Sequence, residues 1–280
     1  MFGQPCSLPP NANVLNLLWD YRIKDDGTYK ARMVCNGRPS NKNTVILGYT
    51  YAKSLDHVGS RVFWAIAAAK NYIVLGADAS NAFAEADPPK HPLYVRVNQP
   101  YREWWKESMH QPDIPTGWVL PVHKALQGHP EAPRAWATKI DHILQQKLHF
   151  VPTTHEPCLY YGKHNGKDVM FLRQVDDFAI AAKNEAVAKD IIKCIDKYMT
   201  IEIKDLGQLT RYNGVDIVQT RDYIKLNNPT YLKKIIQEHQ WMVENVDMAT
   251  FPLPMSEDKE YLRQLETAIA PTTEEDQTAL

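Results

Sequence analysis

The chain contains long apolar runs that end in, or surround, negatively charged residues. Residues 71–78 (NYIVLGAD) form a continuous apolar run with one carboxylate at its end, which is typical of a central β-strand. Residues 169–182 (VMFLRQVDDFAIAA) form two runs rich in β-branched and aromatic residues, one on each side of Asp176 and Asp177. These runs predict a hairpin with the adjacent acids at its tip.

Apolar residues at helical spacing predict three helices. Residues 54–70 form the first, with Ser54 as its cap, and residues 130–149 form the second, with a proline near its start. Residues 185–199 form the third. Residues 98–118 instead combine tryptophans with several prolines and predict a loop-rich segment.

A second pair of acids provides a comparison for Asp176-Asp177. Residues 18–35 alternate between apolar and polar positions and predict a hairpin whose turn is DDG at positions 25–27. Phe178 follows Asp176-Asp177 instead, and the apolar run resumes. Two like charges at the turn of a buried hairpin repel each other, and a bound divalent cation is the usual compensation. A solvated turn is the alternative.

Asp78 is the third acid with this pattern. It lies 98 residues before Asp176 (176 minus 78), so no local turn brings the two together. If their strands are neighbours in one sheet, three carboxylates converge at one point. Such an all-oxygen site suits Mg²⁺, and two ions about 3.5–4 Å apart would hold the attacking and leaving oxygens of a phosphoryl transfer.

Composition narrows the class of protein only slightly. The 280 residues carry 32 Lys+Arg and 33 Asp+Glu, a formal net charge of −1, so any nucleic-acid interface must be a local basic groove. No run of 18 apolar residues occurs and the proline-containing start is not a signal peptide, so we expect neither a membrane span nor secretion. Four widely spaced cysteines indicate reduced thiols in an intracellular protein: Cys6, Cys35, Cys158 and Cys194.

Five short blocks resemble, in order, the reverse transcriptase domain of copia-type LTR retrotransposons. They resemble the basic fingers strand, the strand of the first catalytic aspartate, the loop and helix behind the nucleotide site, the Tyr-Val-Asp-Asp box and the primer grip. Together they cover roughly residues 19–240. In the order in which these elements were named, the blocks are residues 29–34 (YKARMV), 77–83 (ADASNAF), 125–136 (ALQGHPEAPRAW), 174–177 (QVDD) and 203–214 (IKDLGQLTRYNG).

The resemblance implies an RNA-directed DNA polymerase that adds deoxynucleotides to a primer 3′-OH. It assigns catalytic and metal-binding roles to Asp78, Asp176 and Asp177, with two Mg²⁺ ions for which Mn²⁺ can substitute. The implied partners are an RNA or DNA template with its primer and deoxynucleoside triphosphates, within a larger polyprotein that also holds integrase and ribonuclease H. The expected location is intracellular, in cytoplasmic virus-like particles and in the nucleus, without a membrane.

The resemblance also implies roles for residues around the nucleotide. Lys30 and Arg32, two apart on one strand, would face the triphosphate, although a solvated strand face is the alternative. Phe83 would exclude a ribose 2′-OH, with a core phenylalanine as the alternative. Gln127 would contact the nucleotide sugar. Lys204 would reach the pyrophosphate leaving group, or would simply be a surface lysine.

Primer binding is assigned to two further elements. The first is a hairpin that contains Tyr212, Asn213 and Gly214. The second is a short basic helix with Lys233 and Lys234, whose positive charge suits a duplex backbone. An Asn-Pro pair precedes this helix and predicts its first turn.

The implied architecture is an α+β right-hand polymerase fold. It has a palm with an antiparallel sheet covered by helices, a fingers subdomain and a partial thumb. The expected boundaries are a flexible arm at 1–18, fingers at 19–53 and 86–131, palm at 54–85 and 132–220, the start of the thumb at 221–240, and a polar tail or linker at 241–280.

Three features depart from the copia pattern. Gln174 stands where the box usually begins with tyrosine, and Gln127 stands where copia-type chains more often have tyrosine and retroviral enzymes have glutamine. The chain also ends before a complete thumb, connection or ribonuclease H domain, so we expect a segment of a polyprotein or a truncated copy. The alternatives to polymerase activity are an inactive remnant that folds and at most binds nucleic acid, and a different two-metal phosphoesterase.

Overall fold

The computed structural model describes residues 1–23, 27–37, 50–89 and 91–238. The first two residues of the predicted turn at 25–27 and the predicted tail at 241–280 lie outside this part of the chain. The helices are α1 (His57–Ala69), α2 (Ala82–Glu85), α3 (Gln99–Glu107), α4 (Ala132–His142), which continues into a π-helical turn (Ile143–Lys147), α5 (Glu185–Asp196) and α6 (Pro229–Glu238). The strands are β1 (Asn13–Ile23), β2 (Tyr29–Cys35), β3 (Ile73–Asp78), β4 (Leu93–Arg96), β5 (Val119–Pro121), β6 (Val151–Pro152), β7 (Leu159–His164), β8 (Lys167–Gln174), β9 (Asp177–Ala182), β10 (Lys204–Gln208), β11 (Arg211–Tyr212), β12 (Val215–Gln219) and β13 (Ile224–Asn227).

A six-stranded antiparallel sheet in the order β10-β3-β9-β8-β7-β6 forms the centre of the chain. Its continuous apolar strands are explained by cover on both faces. In β9, Phe178 and Ile180 point to the side covered by α4 and α5, whereas Ala179 and Ala181 point to the side covered by α1 and the β11–β13 sheet. The predicted mixed α and β fold, with helices on an antiparallel sheet, is confirmed.

The predicted helices occur with shifted ends. α1 begins at His57 and not near Ser54, because the Asp56 carboxylate accepts the Val58 N–H at 3.1 Å and so caps the helix. α5 begins after Asn184, whose side-chain oxygen accepts the Val187 N–H at 3.1 Å.

A second sheet has the order β2-β1-β4-β5 and encloses its own apolar cluster. The prediction of a loop-rich segment at 98–118 is wrong for its first half, which forms α3. Asn98 caps this helix by accepting the Tyr101 N–H at 3.1 Å, and the buried Tyr101 ring stacks on Trp105. The tryptophan-rich composition therefore marks a helix that covers this sheet.

The prediction of a flexible arm at residues 1–18 is also wrong. β1 begins at Asn13, and its first four residues pair in parallel with β4. Leu15 and Leu17 are buried in the cluster of the second sheet, while Phe2 and Cys6 form isolated bridges with β5 and the residue after it. Burial of alternate leucines offsets the cost of ordering a start that is rich in proline and asparagine.

The predicted second hairpin is present as a small sheet of β11, β12 and β13. Asn213 and Gly214 join β11 to β12 with φ angles of 46° and 80°, the combination that a type I′ turn requires. α6 belongs to a separate compact unit that begins at Pro229, and it starts at that proline as predicted.

A buried carboxylate joins α2 to the segment that precedes β10. Glu85 accepts the N–H groups of Thr200 and Ile201 at 2.9 Å and 2.7 Å, and its second oxygen lies 2.9 Å from Lys139 Nζ. Burial by itself would raise the pKa of Glu85, but the hydrogen bonds from Thr200, Lys139 and Ile201 together hold it below its usual value. The ionised form is therefore the one that stabilises the fold.

We expect Glu85→Gln to lower the free energy of unfolding by about 1–3 kcal/mol, because it leaves buried donors poorly paired. The loss should be full at neutral pH and shrink as the pH falls below the ordinary value of 4.5, since a lowered pKa stabilises only above it. Urea unfolding measures both. The control Glu185→Gln breaks an exposed pair with Lys189 and should cost no more than about 0.5 kcal/mol. An equal loss in both variants would contradict the buried role.

Candidate active site

β3 and β9 are neighbours, and their register places Asp78 directly opposite Asp177. Asp176 lies in the two-residue turn between β8 and β9, in which Gln174 is opposite Asp177. The predicted adjacency of the two strands is therefore confirmed, and all three acids lie at one end of the central sheet. In the described part of the chain their oxygens do not all approach within 4.8 Å of one another, so they border a space without forming a closed cage.

The β8–β9 turn has a backbone shape that its sequence disfavours. Val175 has φ 55°, a left-handed value that is costly for a β-branched residue. Its carbonyl oxygen accepts the indole N–H of the fully buried Trp136 at 2.7 Å, and the Asp176 carbonyl accepts the Ala79 N–H at 2.9 Å. Bonds from outside the hairpin thus stabilise a turn that has no glycine or asparagine.

The three acids affect one another electrostatically. Although Asp177 is exposed at one side, desolvation by the surrounding protein, and then the negative charges of Asp176 and Asp78, raise its pKa from the ordinary value of 3.8 to about 6. Burial and the charge of Asp78 also raise the pKa of Asp176, and the positive charges of Arg32 and Lys30 partly oppose this shift. The site therefore holds excess negative charge, which a cation would compensate.

Positive groups face the acids across a cavity of about 850 Å³. Lys30 and Arg32 of β2 line it and are half-buried, while Ala31 between them is exposed. Phe83 and Gln127 line the same cavity. The structure thus brings together seven of the predicted site residues: Lys30, Arg32, Asp78, Phe83, Gln127, Asp176 and Asp177.

The loop that carries Gln127 lies against the end of β2. The Gln127 carbonyl accepts the Cys35 N–H at 2.8 Å. Gly128 follows with φ 88°, and a Cβ atom there would collide with the Cys35 carbonyl oxygen. Glycine is therefore needed for the loop to approach β2 and to place Gln127 at the cavity.

The position of Phe83 is compatible with both predictions made for it, a core phenylalanine and a residue at the nucleotide site. It is half-buried, packs against the core and lines the cavity. Asn81, with φ 55°, turns the chain into the short helix α2. Ser80 donates a hydrogen bond from its hydroxyl to the Asp78 carboxylate at 3.2 Å. Ser80 and Asn81 line the cavity but were not predicted, although their position between Asp78 and Phe83 could have indicated them.

Four predicted residues lie near the acids but outside this cavity. Lys204, the first residue of β10, is opposite Asp78 in register and exposed. Tyr212, Asn213 and Gly214 line a neighbouring cavity of about 400 Å³, together with Asp177. Tyr212 donates its hydroxyl to the Asp177 carbonyl at 3.3 Å, and burial raises the pKa of this tyrosine well above its usual value.

The predicted primer-binding residues Lys233 and Lys234 are exposed on α6, in the separate unit.

Gln174, which replaces the usual tyrosine of the box, makes a contact that its sequence does not indicate. Its side-chain oxygen accepts the Leu55 N–H at 3.1 Å and so ties the start of the turn to the segment before α1.

Comparison with known proteins identifies the class of protein. A family described as reverse transcriptase (RNA-dependent DNA polymerase) matches residues 4–255, most of the chain. The chain belongs to this family, and its relatives are those of copia-type elements, as the five blocks predicted. Within the described residues, no helix is both long enough and apolar enough to cross a membrane.

The similar proteins with curated descriptions are polyproteins of transposons. The Retrovirus-related Pol polyprotein from transposon TNT 1-94 of Nicotiana tabacum is 24% identical over 254 residues, which are 88% of this chain and 18% of that protein. The Pol polyprotein from transposon RE2 of Arabidopsis thaliana is 21% identical over 87% of this chain and 16% of that protein. The Ty1-NL2 Gag-Pol polyprotein of Saccharomyces cerevisiae is 24% identical over 79% of this chain and 11% of that protein. The chain thus spans less than a fifth of these relatives.

Two similar solved structures have lower sequence identity to this chain than the transposon polyproteins do. A telomerase from Candida albicans in complex with a telomeric RNA fragment is 11% identical, covers 84% of this chain and 53% of that chain, and has a TM-score of 0.44. The protease–reverse transcriptase of prototype foamy virus is 14% identical, covers 94% of this chain and 32% of that chain, and has a TM-score of 0.35.

We expect Asp177→Asn to make the metal-free protein more stable at pH 7. A folded-state pKa of about 6 against an ordinary 3.8 means that ionisation of Asp177 destabilises the fold as the pH rises from about 4 to 6. The asparagine variant does not lose this stability, so its advantage should vanish below pH 4, where aspartate is protonated in both states. Thermal unfolding in a chelator across this pH range measures the difference.

A matched control for this measurement is Asp168→Asn, which changes an exposed aspartate at the far end of β8. It should leave the unfolding temperature nearly unchanged at every pH. A gain of stability in the control equal to that of Asp177→Asn, or no gain in Asp177→Asn, would contradict the raised pKa of Asp177.

Proposed function

We propose that this chain is the RNA-directed DNA polymerase domain of a copia-type retrotransposon and that it extends a primer 3′-OH with deoxynucleotides. The observation that carries the proposal is the arrangement of Asp78, Asp176 and Asp177 around one cavity, opposite Lys30 and Arg32, in a chain that belongs to the reverse transcriptase family. Its partners are an RNA or DNA template with primer and deoxynucleoside triphosphates, within a larger polyprotein. It works inside the cell, in the cytoplasm or nucleus.

We assign the proposed subdomains to the two main sheets. The six-stranded sheet with α1, α4 and α5 corresponds to a palm, and the sheet of β1, β2, β4 and β5 corresponds to fingers. Residues 221–240 correspond to the start of a thumb. In this arrangement the fingers strand β2 overhangs the carboxylates of the palm.

The three acids have the chemistry of a magnesium site. Carboxylate oxygens are the ligands that Mg²⁺ prefers, and after burial the negative charge of the neighbouring acids contributes to the raised pKa values of Asp176 and Asp177. Asp78, Asp176 and Asp177 would hold two Mg²⁺ ions, with Mn²⁺ as a substitute. When bound, these ions supply Lewis-acid stabilisation of the attacking and leaving oxygens.

The other residues bind and orient the substrates. Arg32 and Lys30 bind the triphosphate and stabilise negative charge that develops on the transferred phosphoryl group. Gln127 contacts the sugar, and Phe83 occupies the space that a ribose 2′-OH would need. Lys204, beside Asp78, protonates the pyrophosphate leaving group.

Two elements are proposed to bind the primer. Tyr212, Asn213 and Gly214 border the cavity next to Asp177, where they would hold the primer end. Lys233 and Lys234 contact the duplex backbone, so their loss should weaken binding of all sequences alike.

The direct test is primer extension on an RNA template with Mg²⁺ and four deoxynucleotides. We expect extension by the chain and a loss of at least about 10³-fold in Asp176→Asn, since metal-assisted stabilisation of the transition state disappears. Asp168→Asn is the control and should extend normally. Binding of the primer–template without extension would overturn the proposal in favour of an inactive remnant. Cleavage of the strand would indicate a phosphoesterase.

A second test concerns the sugar. Phe83→Val keeps an apolar side chain against the core but shortens it, so we expect incorporation of ribonucleotides relative to deoxynucleotides to rise about tenfold or more. Single-nucleotide extension kinetics measure the ratio. Phe63→Val changes a core residue on the buried face of α1 that does not line the cavity, and it is the control for general loosening. An unchanged ratio in Phe83→Val would leave this residue as part of the core alone.

A further inference from the structure

A histidine, an aspartate and a cysteine form a compact cluster away from the catalytic carboxylates. His164 is the last residue of β7, and Asp190 and Cys194 lie one helical turn apart on α5. A histidine nitrogen, a carboxylate oxygen and the cysteine sulfur all lie within 4.8 Å of one another, which no other such trio does in the described ranges.

Existing bonds orient two of the three side chains. His164 Nε2 lies 2.6 Å from Asp190 Oδ2, and Asn165 Nδ2 donates to the same oxygen at 3.1 Å. The His164 side chain is only 13% exposed, so its ring is held in place. An ion pair accounts for the positions of the His164 and Asp190 side chains, but it does not account for the Cys194 sulfur beside them.

The donor set matches one class of cation. Imidazole nitrogen, thiolate sulfur and carboxylate oxygen are the ligands of Zn²⁺, at 2.0–2.3 Å in a tetrahedron, which separates ligand atoms by roughly 3.3–3.8 Å. Shifts of about an ångström in side-chain positions would bring the present cluster to that geometry. One thiolate and one carboxylate also balance the charge of a divalent ion. We propose that His164, Asp190 and Cys194 bind one Zn²⁺ ion, with water as the fourth ligand.

The site is separate from the proposed polymerase centre. His164 pairs with Lys167 at the start of β8, whereas Gln174 at the other end of that strand pairs with Asp177. The seven steps between them correspond to about 23 Å of strand. An ion at this site would join the β7–β8 turn to α5, which packs against β3 and β9. Its role is therefore structural, and it does not depend on polymerase activity.

The experiment titrates the full chain with Co²⁺, a spectroscopic substitute for Zn²⁺, while a non-thiol reductant keeps the cysteines reduced. We expect thiolate-to-cobalt charge-transfer absorption that saturates at one ion per chain and disappears on addition of Zn²⁺. Ions at the three catalytic aspartates give no such band, because those ligands contain no sulfur. Absence of the band would overturn the proposal and leave an ion pair.

Variants assign the band to this cluster. Cys194→Ser should abolish it, and His164→Gln should weaken Co²⁺ binding at least about tenfold while keeping the thiol. Cys6→Ser changes another half-buried cysteine, in the strand-pairing region near β5, and should leave the band intact. If Cys194→Ser proves unstable, His164→Gln tests the proposal alone. A band of unchanged strength and affinity in His164→Gln would overturn it.

Discussion

Repulsion among three carboxylates at one end of a doubly covered sheet is the constraint on which the rest of the structure depends. Asp78 and Asp177 are forced together by the β3–β9 register, and the core on both faces of the sheet fixes that register. A slip of one residue would turn Phe178 and Ile180 to the wrong face and would separate the acids. The stability of the core is therefore what keeps like charges close enough to act together.

The turn between β8 and β9 shows how this arrangement is maintained. Its left-handed valine is not stabilised within the hairpin but by the Trp136 indole, 39 residues away along the chain. The fully buried Arg173, one residue before Gln174, bonds to Asp141 on the same helix as Trp136 at 3.0 Å, and Asp141 also accepts the Tyr160 hydroxyl. α4 thus serves as a rigid backing for the site, which favours precise placement of the acids.

The sequence predicted those features whose cause is local. Two-sided burial produces unbroken apolar strands, and so β3, β8 and β9 could be read directly, as could the Asn213-Gly214 turn and the proline that opens α6. Features that depend on distant partners could not be predicted. Part of the predicted arm is a strand because Leu15 and Leu17 pack into the apolar cluster around β4 and β5. α3 is stabilised because Tyr101 packs into the same cluster. The family resemblance supplied the candidate site residues, seven of which line the main cavity, and the roles of all of them remain predictions.

The order of strands in the central sheet has a consequence for synthesis of the chain on the ribosome. β3 lies between β9 and β10, so the strand that bears Asp78 gains its two neighbours only after residues 177–182 and then 204–208 have been made. The β1–β2 and β4–β5 sheet can pair much earlier. In a nascent chain, β2 with Lys30 and Arg32 can therefore pair before β3 has either neighbour, and Asp78 meets the other two acids only after β9 has been made.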